Sequence, residues 1–470
     1  MSTRLRALDS IFRPESVAVV GASDNPGKLG FHVMKSLTQG GFPGKIFPVN
    51  PGKKEIMGMK TFPSLSHIHE KVDLSIIVLP AEQVSQTLQE CGEKGVRGVV
   101  LITAGFREIE DKRGAVLQKG VAELADRFGI RIIGPNTFGI VNLHLPLNAS
   151  FTPEFSHVEK GGISFVSQSG GISHLIAFLA MKQQVGLSKI IGLGNRCNVD
   201  FAEIVEYLSE DSETRVIALY LEGIDEPRRL MEAAKKVAAK KPVVAYKVGR
   251  SHISDKASQS HTGSLAGRHE VYVAAFKQAG VLTVQSSEEL LDAAKALAAC
   301  PAPGGNRVAV LSGQAGPGMA ACDVCETGGL VLPPFSVETQ ERIEALLPPL
   351  ALRTNPVDMG PAWYDAEATK GIVRAVLEED NIDAVLLFIM FASANRTSVG
   401  SLRELLLSHE KKKPLVCCIS SPEGIWDEEI RRFERSGIPN YPTPERAAAA
   451  LSNLVRYQKI QREGTADGDR

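Results

Sequence analysis

One histidine of this chain stands in a setting that suits chemistry better than packing. His261 lies in Ser258-Gln-Ser-His-Thr-Gly-Ser-Leu-Ala-Gly267, a segment of small and polar residues with two glycines. Such a composition favours a flexible loop, on which an imidazole can be reached and can act as a nucleophile. Most of the ten histidines fall in predicted helices or turns, and His252 is a weaker candidate. Together with two strand-to-helix turns that suit phosphate, Val166–Gly171 and Leu311–Gly318, this setting predicts that His261 carries a phosphoryl group between sites on a swinging loop.

A glutamate at the end of a predicted strand is the candidate partner of this histidine. The apolar run Val216–Leu221 is followed directly by Glu222. A carboxylate can accept a hydrogen bond from one imidazole nitrogen, which fixes the tautomer and leaves the other nitrogen as nucleophile. A capping or solvated glutamate is the alternative.

Two strand-to-helix turns have the composition of phosphate sites. Hydroxyl groups and the first N–H groups of a helix together favour an anion. The first turn lacks the GxSxG pattern of a nucleophile elbow, and plain helix capping is the alternative for both turns. The predicted phosphate ligands are Ser167, Gln168, Ser169, Gly170 and Gly171 in the first turn, and Gly313, Gln314, Ala315 and Gly316 in the second.

The first strand of the chain also runs into a glycine-containing turn, which suggests a nucleotide. The turn from Gly21 to Lys28 is neither a Walker A loop nor a GxGxxG fingerprint. The second strand ends in Asn50-Pro-Gly-Lys53, where an NAD site would place an acidic residue. A neutral side chain followed by lysines suits the 3′-phosphate of coenzyme A, and NADP is the alternative. The ends of later strands, near Val78, Thr103 and Asn136, would line the same crevice.

Composition excludes several classes of protein. The net charge is −1 and aromatic residues make up 6%, so nothing favours nucleic acid or a membrane surface. The absence of a long apolar run predicts a cytoplasmic protein. The seven irregularly spaced cysteines fit a reducing compartment, and Cys322 and Cys325 are interpreted as helix packing, so no metal site is predicted.

The chain alternates β-branched runs with helical stretches, which predicts an α/β fold with parallel sheets. At about 100–200 residues per domain, 470 residues suggest about three domains. We place them at residues 8–148, 149–299 and 305–460, with a Pro/Gly-rich linker before the third. The polar residues 461–470 are expected to form a disordered tail.

Seven motifs, taken in order, resemble the alpha subunit of ADP-forming acetate–CoA ligase, in the succinyl-CoA synthetase superfamily. The resemblance covers about residues 8–460. The motifs are Val20-Gly-Ala-Ser23, Val49-Asn-Pro51, Thr103-Ala-Gly-Phe106, Gly134-Pro-Asn136, Ser167-Gln-Ser-Gly170, Ser260-His-Thr-Gly-Ser-Leu-Ala-Gly267 and Asn355-Pro-Val-Asp358.

This resemblance implies a Rossmann-like CoA-binding domain followed by two flavodoxin-like, succinyl-CoA synthetase-like domains. It implies that His261 is phosphorylated and that Glu222 orients it. Many relatives continue into an ATP-grasp domain, and the split form of the family supplies that domain as a separate beta subunit. The resemblance therefore implies an ATP-grasp beta subunit that binds ADP or ATP with Mg²⁺, in an α2β2 heterotetramer. The resemblance and the glycine-containing turns together give a set of expected CoA contacts. They are Gly21, Ala22, Ser23, Lys28, Pro51, Lys53, Val78, Pro80, Thr103, Gly105 and Asn136.

The expected reaction interconverts acyl-CoA, ADP and phosphate with a small carboxylic acid, CoA and ATP. Two other functions stay open at this point: a CoA-binding regulatory module without catalysis, and an NADP-dependent oxidoreductase. The sequence does not distinguish which acid is used, in which direction the reaction runs, or whether ADP or GDP is preferred.

Overall fold

The computed structural model describes residues 7–256, 269–349, 352–395, 398–409 and 413–466. His261 therefore lies outside the described residues, and its predicted role stays a prediction. The chain divides into two compact units, Met1–Ser287 and Glu288–Arg470. Each unit is described by itself.

The first unit opens with a five-stranded parallel sheet in the order β2-β1-β5-β6-β7. Its central strands are buried throughout, because helices cover both faces of a parallel sheet. Beside it lies a small antiparallel pair, β3 (Glu55–Ile56) and β4 (Met59–Lys60). The other elements are α1 (Asp9–Phe12), β1 (Ser16–Val20), α2 (Leu29–Gln39), β2 (Lys45–Val49), the 3₁₀ turn Leu65–His67, β5 (Leu74–Ile77), α3 (Ala81–Lys94), β6 (Gly98–Leu101), α4 (Lys112–Phe128) and β7 (Arg131–Ile133).

A second, seven-stranded sheet completes the first unit in the order β14-β13-β12-β10-β11-β8-β9. Five strands are parallel, and β8 and β9 form an antiparallel hairpin at one edge. The elements are β8 (Gly139–Asn142), β9 (Leu147–Ser150), the 3₁₀ turn Pro153–His157, β10 (Lys160–Ser167), α5 (Gly170–Gln183), β11 (Leu187–Gly192), α6 (Phe201–Glu210), β12 (Val216–Leu221), α7 (Pro227–Ala238), β13 (Val243–Lys247), α8 (His269–Gln278) and β14 (Leu282–Val284).

This hairpin was not predicted from the sequence. Its polar residues are buried rather than alternating with solvent, so the period-two pattern of a half-exposed strand is missing. Asn142 is only 1% exposed because its amide group donates to the carbonyl oxygen of Phe12 at 2.9 Å. The predicted boundary at residue 148 falls inside β9.

The second unit holds a four-stranded parallel sheet in the order β16-β15-β17-β18. A helix that begins at Ser287 leads into it. The elements are α9 (Ser287–Ala299), β15 (Val308–Ser312), α10 (Ala315–Thr327), α11 (Val337–Glu344), β16 (Val357–Asp358), the 3₁₀ turn Gly360–Tyr364, α12 (Ala366–Glu378), β17 (Ala384–Met390), the 3₁₀ turn Ser393–Asn395, α13 (Ser398–Ser408), β18 (Leu415–Ser420), α14 (Asp427–Arg435) and α15 (Pro444–Ala466).

Both ends of this unit concern segments whose assignment was predicted from the sequence. Helix α9, which was assigned to the preceding domain, contacts α15, because its Asp292 accepts two hydrogen bonds from Arg446, at 2.7 and 2.8 Å. Helix α15 continues to Ala466, so residues 461–466 are helical where a disordered tail was expected. A hydrogen bond of 3.0 Å from Arg462 to the carbonyl oxygen of Gly304 helps to hold this extension.

Within the described part of the chain, no helix is both long enough and apolar enough to cross a membrane. The same residues contain no group of three or more histidine, cysteine, aspartate or glutamate side chains placed to hold a metal ion.

Candidate active site

The turn after β1 is shaped by two glycines that no larger residue could replace without movement. Gly21 has φ +93°, and a Cβ atom there would lie 2.3 Å from the carbonyl oxygen of Val78. A Cβ atom on Gly30 would lie 2.0 Å from the carbonyl oxygen of Gly21. The start of α2 therefore packs directly on the turn. Helix α2 has no side-chain hydrogen bond at its N-cap, Lys28, so its first N–H groups remain suited to an anion.

A cavity of about 750 Å³ opens at this turn, at the carboxyl ends of β1, β2, β5 and β6. Asn50 supports its wall, because its amide group donates to the carbonyl oxygen of Ala22 at 2.8 Å and accepts from the N–H of Gly52 at 2.8 Å. The predicted CoA contacts that line the cavity are Gly21, Ala22, Ser23, Lys28, Pro51, Val78, Pro80 and Thr103.

Three predicted contacts are engaged elsewhere. Lys53 forms an ion pair with Asp24 at 3.1 Å, and this hydrogen bond holds the pKa of the Asp24 carboxyl below its usual value. The N–H of Gly105 donates to Glu108 at 2.6 Å. The amide group of Asn136 lies 3.4 Å from the side-chain oxygen of Asn195.

The first half of α3 forms a part of the cavity wall that was not predicted from the sequence. Gln83, Gln86, Thr87 and Glu90 line the cavity from this helix. Positions 83, 86 or 87 and 90 are three or four residues apart, which places these side chains on one face of α3. This polar stripe was the signal that could have identified them.

The turn after β10 is closed by its own hydroxyl groups. Ser167 Oγ accepts from the N–H of Ser169 at 3.0 Å and donates to the carbonyl oxygen of Ser169 at 2.9 Å. Ser169 then caps α5, with Oγ accepting from the N–H of Ile172 at 3.4 Å. A Cβ atom on Gly170 would have no neighbour within 4 Å, so the start of the helix is open. This open start can accept an anion.

Glu222 follows β12, the strand next to β10, and is half-buried. The side-chain oxygen of Gln168 accepts from the backbone N–H groups of Glu222 and Gly223, at 2.6 and 3.1 Å. The structure thus brings Glu222 and the Ser167–Gly171 turn together at one edge of the sheet. It also shows that Gln168 uses its oxygen on the backbone of the neighbouring strand end.

Strand β13 ends at the same edge, with Lys247 in register with Leu221. The N–H of Val248 donates to the carbonyl oxygen of Leu221 at 3.1 Å, so the chain leaves the sheet beside Glu222 on its way to the segment that contains His261. Lys247 is 5% exposed, and its ammonium group lies 5.0 Å from the centre of the Tyr272 ring. Burial lowers the pKa of Lys247, while the carboxylates of Asp255 and Glu222 oppose that shift.

The loop after β11 adds a residue that the sequence analysis missed. Arg196 is 7% exposed and donates to the carbonyl oxygen of Gly223 at 2.6 Å and to Asp225 at 2.8 Å. Arg107 donates to the same Asp225 oxygen at 3.2 Å. Burial lowers the pKa of the Arg196 guanidinium, and the charge of Asp225 opposes that shift. No sequence pattern pointed to Arg196, because its partners come from distant parts of the chain.

The predicted phosphate turn of the second unit resembles the turn after β10. Ser312 Oγ accepts from the N–H of Gln314 at 3.4 Å and donates to its carbonyl oxygen at 2.5 Å. Gln314 is the N-cap of α10 and makes no side-chain cap hydrogen bond. A Cβ atom on Gly313 would lie 3.1 Å from the Trp363 ring, whereas one on Gly316 would have no neighbour within 4 Å. Ala315 begins the helix.

Comparison with known proteins finds two family models that match this chain. A family model described as a CoA binding domain matches residues 15–142, and one described as a succinyl-CoA ligase like flavodoxin domain matches residues 160–297. Together the fold, the cavity and these two matches define a CoA-binding protein of the succinyl-CoA ligase type.

Individual relatives narrow this class. The chain is 42% identical over 460 residues to the Pyrococcus furiosus acetate–CoA ligase [ADP-forming] II subunit alpha, covering 96% of this chain and 98% of the relative. It is 40% identical to the Archaeoglobus fulgidus acetate–CoA ligase [ADP-forming] I, of which it spans 64%. A solved Candidatus Korarchaeum cryptofilum dinucleotide-forming acetyl-coenzyme A synthetase 1, in complex with phosphate and ADP, superposes with a TM-score of 0.90 at 31% identity over 98% of both chains. The chain belongs to the family of ADP-forming acetate–CoA ligase alpha subunits.

Proposed function

We propose that this chain is the alpha subunit of an ADP-forming acyl-CoA synthetase and that it acts with an ATP-grasp beta subunit in an α2β2 assembly. The single observation that carries the proposal is the carboxyl edge of the second sheet. There the open Ser167–Gly171 turn and Glu222 lie on adjacent strands. An anion-binding turn beside a carboxylate is the arrangement that an acyl phosphate and a nucleophilic histidine would require. The relative from Pyrococcus furiosus is itself named a subunit alpha, which supports the need for a partner.

The proposed reaction has three steps. An oxygen of inorganic phosphate attacks the thioester carbon of acyl-CoA, the C–S bond breaks, and acyl phosphate and CoA thiol result. A ring nitrogen of His261 then attacks phosphorus, the bond from phosphorus to the acyl oxygen breaks, and the carboxylate leaves. Finally the phosphoryl group passes from His261 to ADP, which is bound with Mg²⁺ on the beta subunit.

In this scheme the cavity of the first sheet holds CoA. Its fit rests on the turn around Gly21, on the uncapped start of α2, and on a volume of about 750 Å³, which lies in the range of small-molecule sites. Lys28 supplies positive charge inside the cavity, and Lys53 supplies it nearby. We keep Gly105 and Asn136 as predicted contacts on the resemblance alone.

The two serine turns hold the phosphoryl group at different stages. Ser169, Gly170 and Gly171 would bind phosphate beside the thioester, and Gly313, Gln314, Ala315 and Gly316 would bind the phosphoryl group in the later transfer. Glu222 would accept a hydrogen bond from one nitrogen of His261 and so leave the other nitrogen as the nucleophile. The acyl substrate is a small carboxylic acid, acetate in the first instance because the relatives are named for it.

The test is the overall reaction. The chain, co-expressed with a beta subunit, is given acetyl-CoA, ADP, Mg²⁺ and phosphate, and ATP and free thiol are measured. Equal amounts of ATP and thiol, lost in the variant His261→Ala, are expected. Tight CoA binding without turnover would favour a regulatory module instead, and an absorbance change at 340 nm with NADPH would favour an oxidoreductase.

A further inference from the structure

The backbone that carries Glu222 is held by two side chains from the neighbouring strand ends. From the β10 side, Gln168 accepts from the N–H groups of Glu222 and Gly223, at 2.6 and 3.1 Å. From the β11 side, Arg196 donates to the carbonyl oxygen of Gly223 at 2.6 Å. Gln168 is 8% exposed and Arg196 is 7% exposed, so water competes little for these hydrogen bonds.

Arg196 adopts a backbone conformation that L-residues rarely use, with φ +57°. Such a conformation is unfavourable for a residue with a Cβ atom and persists when surrounding contacts determine it. Here the contacts are the hydrogen bond to Gly223 and the ion pair with Asp225 at 2.8 Å, which Arg107 also joins at 3.2 Å. This backbone conformation places the guanidinium group beside the carbonyl oxygen of Gly223, in the turn that follows Glu222.

We propose that Gln168 and Arg196 are positioning residues that fix the Glu222–Gly223 turn and, through it, the place of the Glu222 carboxylate. The inference rests on the proposed function, since it assigns to Glu222 the orientation of a phosphohistidine. It also gives Gln168 a role other than that of a phosphate ligand. A displacement of about 1 Å in a group that orients a nucleophile can lower a rate by about a hundredfold.

The experiment is a double-mutant cycle on the alpha subunit with its partner. Gln168→Met keeps the side-chain volume and removes the acceptor, and Arg196→Met removes the donor to Gly223. Each is combined with Glu222→Gln. The measured quantities are the single-turnover rate of protein phosphorylation from acetyl-CoA and labelled phosphate, the Kd for CoA and the Tm.

The matched control is Asn142→Leu. Asn142 is also a buried amide side chain in the second sheet that accepts from a backbone N–H group, that of His144 at 3.1 Å. It pairs with Lys189 near the amino end of β11, opposite the edge where Glu222 lies. Its loss should lower the Tm and leave the phosphorylation rate within about twofold of wild type.

We expect Gln168→Met and Arg196→Met each to lower the phosphorylation rate by about ten- to a hundredfold with an unchanged Kd for CoA. In the Glu222→Gln background neither should lower the rate further, because residues that act through one group are not additive. Losses that multiply in the double variants would overturn the inference, and for Gln168 they would indicate direct contact with phosphate. The proposed function fails separately, when the wild-type protein forms no phosphohistidine at all.

Discussion

The turns after β10 and β15 are built alike but stand among different neighbours. In each, a buried serine at the strand end is hydrogen-bonded to both backbone groups of the residue two positions on. Beside the first turn lies the strand end that carries Glu222, and the buried Arg196 donates to the carbonyl oxygen of the next residue, Gly223. The second turn packs Gly313 against the Trp363 ring.

The backbone beside the two turns is held differently. Asp358, in register with Ser312, accepts from the N–H of Gly360 at 3.0 Å through its own carboxylate. The backbone of Glu222 and Gly223 is held by the side chains of Gln168 and Arg196, which come from neighbouring strand ends. Both serine turns thus form a helix start that suits an anion. The side chains that lie beside each helix start come from the neighbouring strand ends, and these differ between the two turns.

The largest expected effect separates these two carboxylates. Glu222→Gln should lower the rate of protein phosphorylation from acetyl-CoA and phosphate by about a hundredfold, because the neutral amide supports the histidine less well as a nucleophile. Asp358→Asn keeps an oxygen that can accept from Gly360 and should change that rate by less than about threefold. Single-turnover labelling measures both. Equal losses in the two variants would mean that the turns do not differ as described.

The open helix starts can be compared through their glycines. A Cβ atom on Gly170 or on Gly316 meets nothing within 4 Å, so the alanine variants should fold normally. We expect Gly170→Ala to raise the KM for phosphate by about tenfold, because the added methyl group occupies the place of an anion. Gly316→Ala should leave that KM unchanged and slow the transfer from phosphohistidine to ADP. If Gly316→Ala raised the KM for phosphate and Gly170→Ala slowed the transfer to ADP, the two turns would have the opposite roles.

The shared hydrogen bonds of the turns should contribute equally to stability. Ser167 and Ser312 are 0% and 1% exposed, and each hydroxyl group makes two hydrogen bonds within its turn. Ser167→Ala and Ser312→Ala should each lower the free energy of unfolding by about 1–2 kcal/mol, as measured by urea denaturation. A loss confined to Ser167→Ala would show that the turns are not equivalent in construction.

The smallest effect concerns a third anion-suited turn, the one after β1, where Asp24 follows the cavity residue Ser23. Asp24 pairs with Lys53 at 3.1 Å, and under the proposed function its negative charge opposes the binding of the CoA phosphates. Asp24→Asn should lower the Kd for CoA by about two- to threefold at low salt, and the gain should shrink as salt screens the charges. Calorimetric titration of CoA and of dephospho-CoA measures it. A weaker affinity in the variant would indicate that Asp24 organises Lys53 for binding.

Elements formed by residues that are close in sequence could be predicted, whereas those held by distant residues could not. Strand β12, which ends directly before Glu222, follows from an apolar run, and the turn at Gly21 follows from glycine next to a strand. The β8–β9 hairpin was missed because its buried polar residues are satisfied by distant backbone, as Asn142 is by Phe12. Arg196 was missed for the same reason, since its partner Gly223 lies 27 residues away.

Locating the phosphoryl group tests the proposed role of His261 most directly. The alpha subunit is incubated with acetyl-CoA and labelled phosphate, digested without acid, and mapped by mass spectrometry alongside His261→Ala and Glu222→Gln. We predict an acid-labile phosphate on His261, absent in the first variant and formed about a hundredfold more slowly in the second. Label on another residue, or unlabelled protein that still binds CoA and phosphate, would contradict it.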